Sequence, residues 1–323
     1  MTNNVFREVK MSVIASFDNS EAISFDDINK ALKNDGVVII ENFLDEKCCD
    51  SISSILEGDQ KVNSNELSFI HINDAKFFSN ALAESRSAFD LVTKKEVFRI
   101  AKNYLGKQIR LKCQRAYSTN KIYYFPWHTD NKFNDKKNQE FGIVFIVYLV
   151  DTDAGATEFV LGSQKYSHSF EANNFNENYI SDNYHKQIAR APGKKGTAVI
   201  SDTRTIHRGG FGNGRNVKRT SFWFQVESNM ESAERLLLNP EFLPRNISSE
   251  LSSYLGFDKP SGQDVHPVTT NIGRVLPYKY RINMFLKYTI LVFLIPVHWA
   301  RASVKDEFKS KIRKVLGIKS DWN

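Results

Sequence analysis

The sequence predicts a mainly β protein with an added helical layer, a sandwich or barrel, from three observations. The run Phe141 to Val150, FGIVFIVYLV, is apolar on both faces, as a central strand covered on both sides must be. Further strand-like runs follow at short spacing, Ala156 to Leu161, Gly196 to Ser201 (GTAVIS) and Thr220 to Val226 (TSFWFQV). Helix signals gather ahead of them, before about residue 100.

Taken in order, Ser24-Phe25-Asp26-Asp27 opens a helix with a cap residue and early acids, and Gly36 closes it after Lys33. Val37 to Ile40 is a β-branched buried strand, and a second helix is expected from Asp45 to Leu56. Residues 57–100 read as largely helical and irregular. Strand texture begins near Ile109. Asp151 to Gly155 is a turn, with Ala156 to Leu161 as the returning strand.

A chain of 323 residues that is 41% hydrophobic and 12% aromatic can bury a large core. Three cysteines, two of them adjacent (Cys48, Cys49), offer neither a disulfide framework nor paired metal spacing, and fit a reduced cytoplasmic protein. The start of the chain lacks an apolar core of signal-peptide length, so no export signal is expected. No apolar run, Ile290 to Val297 included, reaches the roughly 18 residues that a spanning helix needs. Net charge is +7, yet from Arg274 onward eleven basic side chains face only three acidic ones. That surplus of eight leaves residues 1–273 slightly negative, which argues against nucleic acid as a partner of the main body.

In YYFPWHTDNK (123–132), His128 and Asp130 are two residues apart. On a strand end, residues i and i+2 face the same way and can share a metal, although the pair alone reads equally well as a loop-edge hydrogen bond. A third ligand from a distant strand would complete a two-histidine, one-carboxylate face of the kind that holds Fe(II). His207 is the best candidate: it follows a strand and precedes Gly209-Gly210, 79 residues after His128. Arg219 shares a strand face with Ser221 and Trp223, and an arginine inside a barrel needs a carboxylate partner. Arg215, in the Gly-rich turn, is the competing cation. Gln114, Tyr117 and Tyr124 are candidates for lining the same pocket, with packing in the core as the plain alternative.

The ordered set His128-x-Asp130, His207, Arg219 resembles the phytanoyl-CoA dioxygenase-like branch of the Fe(II)/2-oxoglutarate oxygenases. NDGVVIIENFL (34–44) is similar to that family's N-terminal helix, glycine, strand and Phe-Leu segment. GATEFVLGSQK (155–165) resembles its strand ending in Pro-Gly-Ser-His-Lys, with Leu161 in place of the proline and Gln164 in place of the histidine. The resemblance implies a double-stranded β-helix (jelly-roll or cupin-like) core flanked by N-terminal helices. It implies Fe(II) held by His128, Asp130 and His207. It also implies 2-oxoglutarate paired with Arg219, Ser221 adding a hydroxyl, and O2 as the second cosubstrate. With Asp130 filling the position that halogenases leave vacant, the implied reaction is hydroxylation, with release of succinate and CO2. A non-catalytic metal-binding barrel and a membrane-surface scaffold are the rival function classes.

The expected organisation is an extension over 1–24, a dioxygenase domain over 25–230, a connecting segment over 231–273 and a basic helical extension over 274–323. In SVKDEFKSKIRKVLGIK (303–319), Val304, Phe308, Ile312 and Leu316 recur every four residues among lysines and arginine. The stripe suits either a cap packed on the fold or on a second subunit, or peripheral membrane contact through residues 280–319. The second case points to a glycolipid or other lipid-linked substrate, the first to any small molecule.

Overall fold

The protein is described here from a computed structural model, in which the described residues are 13–14, 24–57, 69–72, 75–119, 127–130, 142–165, 174–210, 219–228, 233 and 236–257. A short strand, Val13–Ile14 (β1), pairs in parallel with Val37–Ile40 (β2). Between them, Phe25–Asp35 forms α1 for the reasons its sequence suggests. Ser24 Oγ accepts the Asp27 N–H at 3.2 Å, and Gly36 ends the helix in the left-handed region at φ 76°. Glu46–Glu57 is α2.

The interval 57–100, expected to be helical and irregular, also contains a hairpin, Phe69–Ile72 (β3) and Ala75–Phe78 (β4). Three short helices follow: Ala81–Glu84 (α3), Arg86–Val92 (α4) and Lys95–Leu105 (α5). Then come the long strand Arg110–Thr119 (β5), Trp127–His128 (β6), Gly142–Tyr148 (β7) and Glu158–Val160 (β8). The chain continues through Asn174–Phe175 (β9), Glu177–Tyr184 (α6), Ile188–Arg190 (β10), Ala198–Asp202 (β11) and His207–Arg208 (β12). Arg219–Glu227 (β13) and Ser249–Leu255 (α7) complete the strands and α-helices among the described residues.

The strands form two sheets, ordered β1-β2-β11-β7-β13-β5-β4-β3 and β10-β8-β12-β6-β9, antiparallel except for the β1–β2 pair. Successive strands β5, β6, β7 and β8 alternate between the two sheets, as do β10, β11, β12 and β13. This winding is that of a jelly roll, so the mixed fold is consistent with the expected double-stranded β-helix. One expectation changes here. The segment after the 151–155 turn is a strand, but it does not return beside β7; it crosses to the other sheet, where β8 pairs with β10 and β12.

The eight-stranded sheet is covered on both faces, which is why every residue of β7 is buried. One face, with Phe145, Val147, Phe222, Phe224 and Ile200, packs against the helices. The other, with Val144, Ile146, Tyr148 and Val199, meets Phe159 and the smaller sheet in the interior of the roll. The 236–257 segment packs onto the helical side: Tyr254 is fully buried and its hydroxyl donates to the Val92 carbonyl at 2.9 Å. The basic extension 274–323 lies outside the described residues, and no helix among those described is long and apolar enough to cross a membrane.

Candidate metal centre

The site forms where two very short strands lie side by side. His207 on β12 is the register partner of His128 on β6 and of Phe159 on β8, so all three side chains face the interior. The imidazole centroids of His128 and His207 are 4.2 Å apart, and the Phe159 ring stacks on His207 at 5.7 Å. Asp130, just past the end of β6, is anchored by its own N–H, which donates to the Thr203 carbonyl at 2.9 Å. Its oxygens lie 3.9 Å from His128 Nε2 and 3.6 Å from His207 Nε2. One ligand atom from each residue falls within 4.8 Å of the others.

Two further details favour a cation at this point. The Asp130 Oδ2 atom is buried without a hydrogen-bond partner, a costly state unless a positive charge meets it. His207 Nδ1 lies 2.9 Å from the Thr205 carbonyl, which can only accept, so Nδ1 carries the proton and Nε2 presents its lone pair to the centre. Two imidazole nitrogens and one carboxylate on a single face suit Fe(II) with positions left open.

The loop that delivers His207 is tied down on both sides. Thr205 Oγ1 donates to the Gly36 carbonyl at 2.9 Å, and Ser163 Oγ accepts the Ile206 N–H at 2.8 Å. Gln164, where the resembling family has histidine, donates to the Leu32 and Lys33 carbonyls at the end of α1. The unusual residue of that segment therefore serves as a helix cap.

Along β13, Arg219 and Ser221 point into the same interior as Tyr148 and Tyr117, the register partners of Ser221. Arg219 Nη1 donates to the Gly155 carbonyl at 3.0 Å, and its guanidinium lies 5.4 Å from the centre of the Tyr117 ring. Arg219 Nε and Ser221 Oγ are buried with no hydrogen-bond partner. Gly209, two residues beyond His207, lies beside the guanidinium: a Cβ there would be in van der Waals contact, 3.4 Å from Arg219 Nη2. Burial raises the Tyr148 phenol to about 12, with the Arg219 charge opposing the rise, and its hydroxyl donates to Ala191 O at 2.6 Å.

Gln114 is not brought to this face. It is the register partner of Phe224 on the helix side of the sheet, where its amide donates to the Ser79 carbonyl, so the expected cofactor contact does not form in this arrangement. Tyr124 and Arg215 lie outside the described residues. The sequence reading missed Tyr148 and Phe159, whose inward placement rests on pairing with the distant residues Ser221 and His207. A surface groove of about 660 Å³ lined by Arg86, Phe98, Phe242 and Leu251 is on the helical side, and none of the three ligand residues borders it.

Residues 32–217 match the profile of the phytanoyl-CoA dioxygenase (PhyH) family, more than half of the chain. The protein belongs to the phytanoyl-CoA dioxygenase family. It is an Fe(II)- and 2-oxoglutarate-dependent dioxygenase, and His128, Asp130 and His207 form its facial triad. No curated protein matches the sequence. Solved structures share the fold of this PhyH-family protein at low identity. EctD from S. alaskensis in its apoform is 17% identical with a TM-score of 0.55, covering 79% of this chain and 94% of that one. HygX from Streptomyces hygroscopicus with nickel and 2-oxoglutarate is 13% identical with a TM-score of 0.51, covering 75% and 96%. The epimerase SnoN in complex with Fe3+, alpha ketoglutarate and nogalamycin RO is 16% identical with a TM-score of 0.50, covering 76% and 96%.

Proposed function

We propose that this PhyH-family enzyme hydroxylates an unactivated C–H bond of a small-molecule or lipid- or sugar-linked substrate. One oxygen atom of O2 enters the product, and the other enters the succinate formed as 2-oxoglutarate loses CO2. The observation that carries the proposal is the pair of buried, unpartnered polar atoms Arg219 Nε and Ser221 Oγ on one face of β13. A guanidinium and a hydroxyl held dry together are expensive unless an anionic acceptor arrives, and a carboxylate matches both.

In this reading Arg219 pairs with the far carboxylate of 2-oxoglutarate, Ser221 donates to the same group, and Tyr117 forms the wall under the guanidinium. His128, Asp130 and His207 hold iron, which supplies the oxygen activation that no side chain of the set can perform. Phe159 and Tyr148, both fully buried, keep water from that space. Asp130, held by Thr203, keeps its carboxylate aimed at the metal.

In this proposal the catalytic groups lie within residues 25–230, while residues 236–257 pack onto the helical side of the same fold. The basic stripe over 280–319 supports peripheral contact with an anionic membrane face from the cytoplasmic side, and hence a lipid-linked substrate. The main body has no positive surplus, and no nucleic-acid partner is proposed.

The test is succinate formation by the purified protein with Fe(II), 2-oxoglutarate and O2, alone and with membrane extracts. Activity in wild type that is lost in His128→Ala and Arg219→Ala supports the proposal. Full activity in Arg219→Ala would remove Arg219 from the cosubstrate site.

A further inference from the structure

Directly behind the metal ligands lies a buried charge that the proposed chemistry does not use. Trp127 precedes His128 and Arg208 follows His207, so strand alternation puts both on the outer face of the smaller sheet. Trp127 is 0%, Glu158 4% and Arg208 5% exposed. Arg208 Nε donates to Glu158 Oε2 at 2.6 Å, and Nη1 donates to Glu177 Oε2, at the start of α6, also at 2.6 Å. The guanidinium carbon is 4.2 Å from the centre of the Trp127 ring. One cation therefore joins β6, β8, β12 and α6.

We infer that Arg208 is a positioning residue for the metal centre: with Glu158 and Trp127 it staples the two histidine-bearing strands in the single register that brings their imidazoles together. The need for such a staple follows from strand length. β6 and β12 are two residues long and share one register pair, His207 with His128, so the ladder between them has little to fix its alignment. A slip of one residue on a strand reverses which side chains face in. Here it would aim the Arg208 guanidinium at the place of the His207 imidazole, putting a cation where a metal ligand belongs.

The staple resists that slip because Glu158 is also the register partner of Arg208. The displaced strand would leave Glu158 buried without its cation, a strongly unfavourable state. Trp127 adds a second constraint, since its ring accepts the guanidinium only when β6 and β12 are level. Glu177 is half exposed, so its limb is the weaker one.

The test uses the full chain with Co(II) as the probe, read by its d–d absorption. Amide hydrogen exchange at residues 127–130 and 207–208 is measured separately on metal-free protein. Arg208→Gln and Glu158→Gln are expected to weaken Co(II) binding about 10- to 100-fold, as loss of groups that orient metal ligands commonly does. The same variants should shift the Co(II) band and speed exchange on both strands without metal. Arg208→Lys, which keeps the charge but not the two-carboxylate fork, should recover part of the affinity. A lowered melting temperature with wild-type Co(II) affinity, spectrum and exchange would overturn the inference, because that is what a purely structural ion pair gives. If Arg208→Gln fails to fold, Glu177→Gln and Trp127→Phe each weaken one limb. Intermediate losses of Co(II) affinity in them support the staple, and wild-type affinity in both overturns it. If wild type binds no Co(II), the iron assignment fails while the exchange measurement still decides the staple.

Discussion

His128 and His207 face each other as register partners across β6 and β12, with ring centroids 4.2 Å apart and Asp130 within 3.9 Å of the first and 3.6 Å of the second. The Asp130 Oδ2 atom is buried and unpartnered between them, and it stays under-satisfied until a cation joins it. Metal should therefore stabilise the fold as well as serve the reaction. At a hundredfold excess over its dissociation constant, a divalent metal is expected to add about 2.7 kcal/mol, seen as a higher melting temperature. Asp130→Ala and His207→Ala should lose that increment, and differential scanning calorimetry with and without metal checks it.

On the proposed function, substitutions at Arg219 and Ser221 should separate cosubstrate binding from metal binding. Arg219→Ala is expected to raise the KM for 2-oxoglutarate by more than about thirtyfold, since truncating one side of a buried charge pair costs about 2–5 kcal/mol. Ser221→Ala should raise it several-fold, the loss of one hydrogen bond. Neither change should alter metal content. Steady-state kinetics and metal analysis on the same preparations read the two effects apart.

Gly36 joins α1 to the loop that carries His207. Its φ of 76° disfavours any Cβ, and a Cβ would also collide with Thr205 Oγ1 and the Gln164 side chain. Gly36→Ala is expected to cost at least about 1–2 kcal/mol from the left-handed backbone alone. Melting should drop by several degrees, at about 2–4 °C per kcal/mol for a domain of this size. Because the Gly36 carbonyl holds Thr205, metal affinity should fall with it. A stable Gly36→Ala protein with unaltered metal affinity would count against this coupling.

The buried Tyr148 phenol makes stability sensitive to alkali. Its ordinary value of 10.0 rises to about 12 in the fold, first through burial, so the folded state holds its proton longer than the unfolded chain does. The contribution is fully present below pH 10 and is lost as pH rises through 10 to 12. Denaturant midpoints should fall across that window, and Tyr148→Phe should flatten the decline. Ultraviolet titration of tyrosinate in wild type and variant identifies the group.

Much of the fold was legible because its signals are local. Ser24 and Gly36 bracket α1 through the caps that their side chain and backbone make possible, and the doubly apolar run at 141–150 announced a strand covered on both faces. The triad was legible because His128 and Asp130 share strand parity and His207 follows a strand. Parity could also have excluded Gln114: it is three residues from Tyr117, so the two cannot share a face of β5. The 151–155 turn misled because a turn's sequence fixes that the chain changes direction, not which sheet the next strand joins. Non-local pairing decided that, as it did the register of β6 against β12.

The complete burial of β7 has a consequence for how the chain is made. FGIVFIVYLV leaves the ribosome well before its ladder neighbours, since β11 starts at Ala198 and β13 ends at Glu227. Through that interval the nascent chain exposes an uncharged, β-branched and aromatic segment with both edges open, the composition that drives intermolecular stacking. Synthesis of roughly 80 further residues, at about 5–20 per second, leaves a window of several seconds. Truncations ending before β11 are therefore expected to accumulate as aggregates, while chains that extend past β13 remain dispersed.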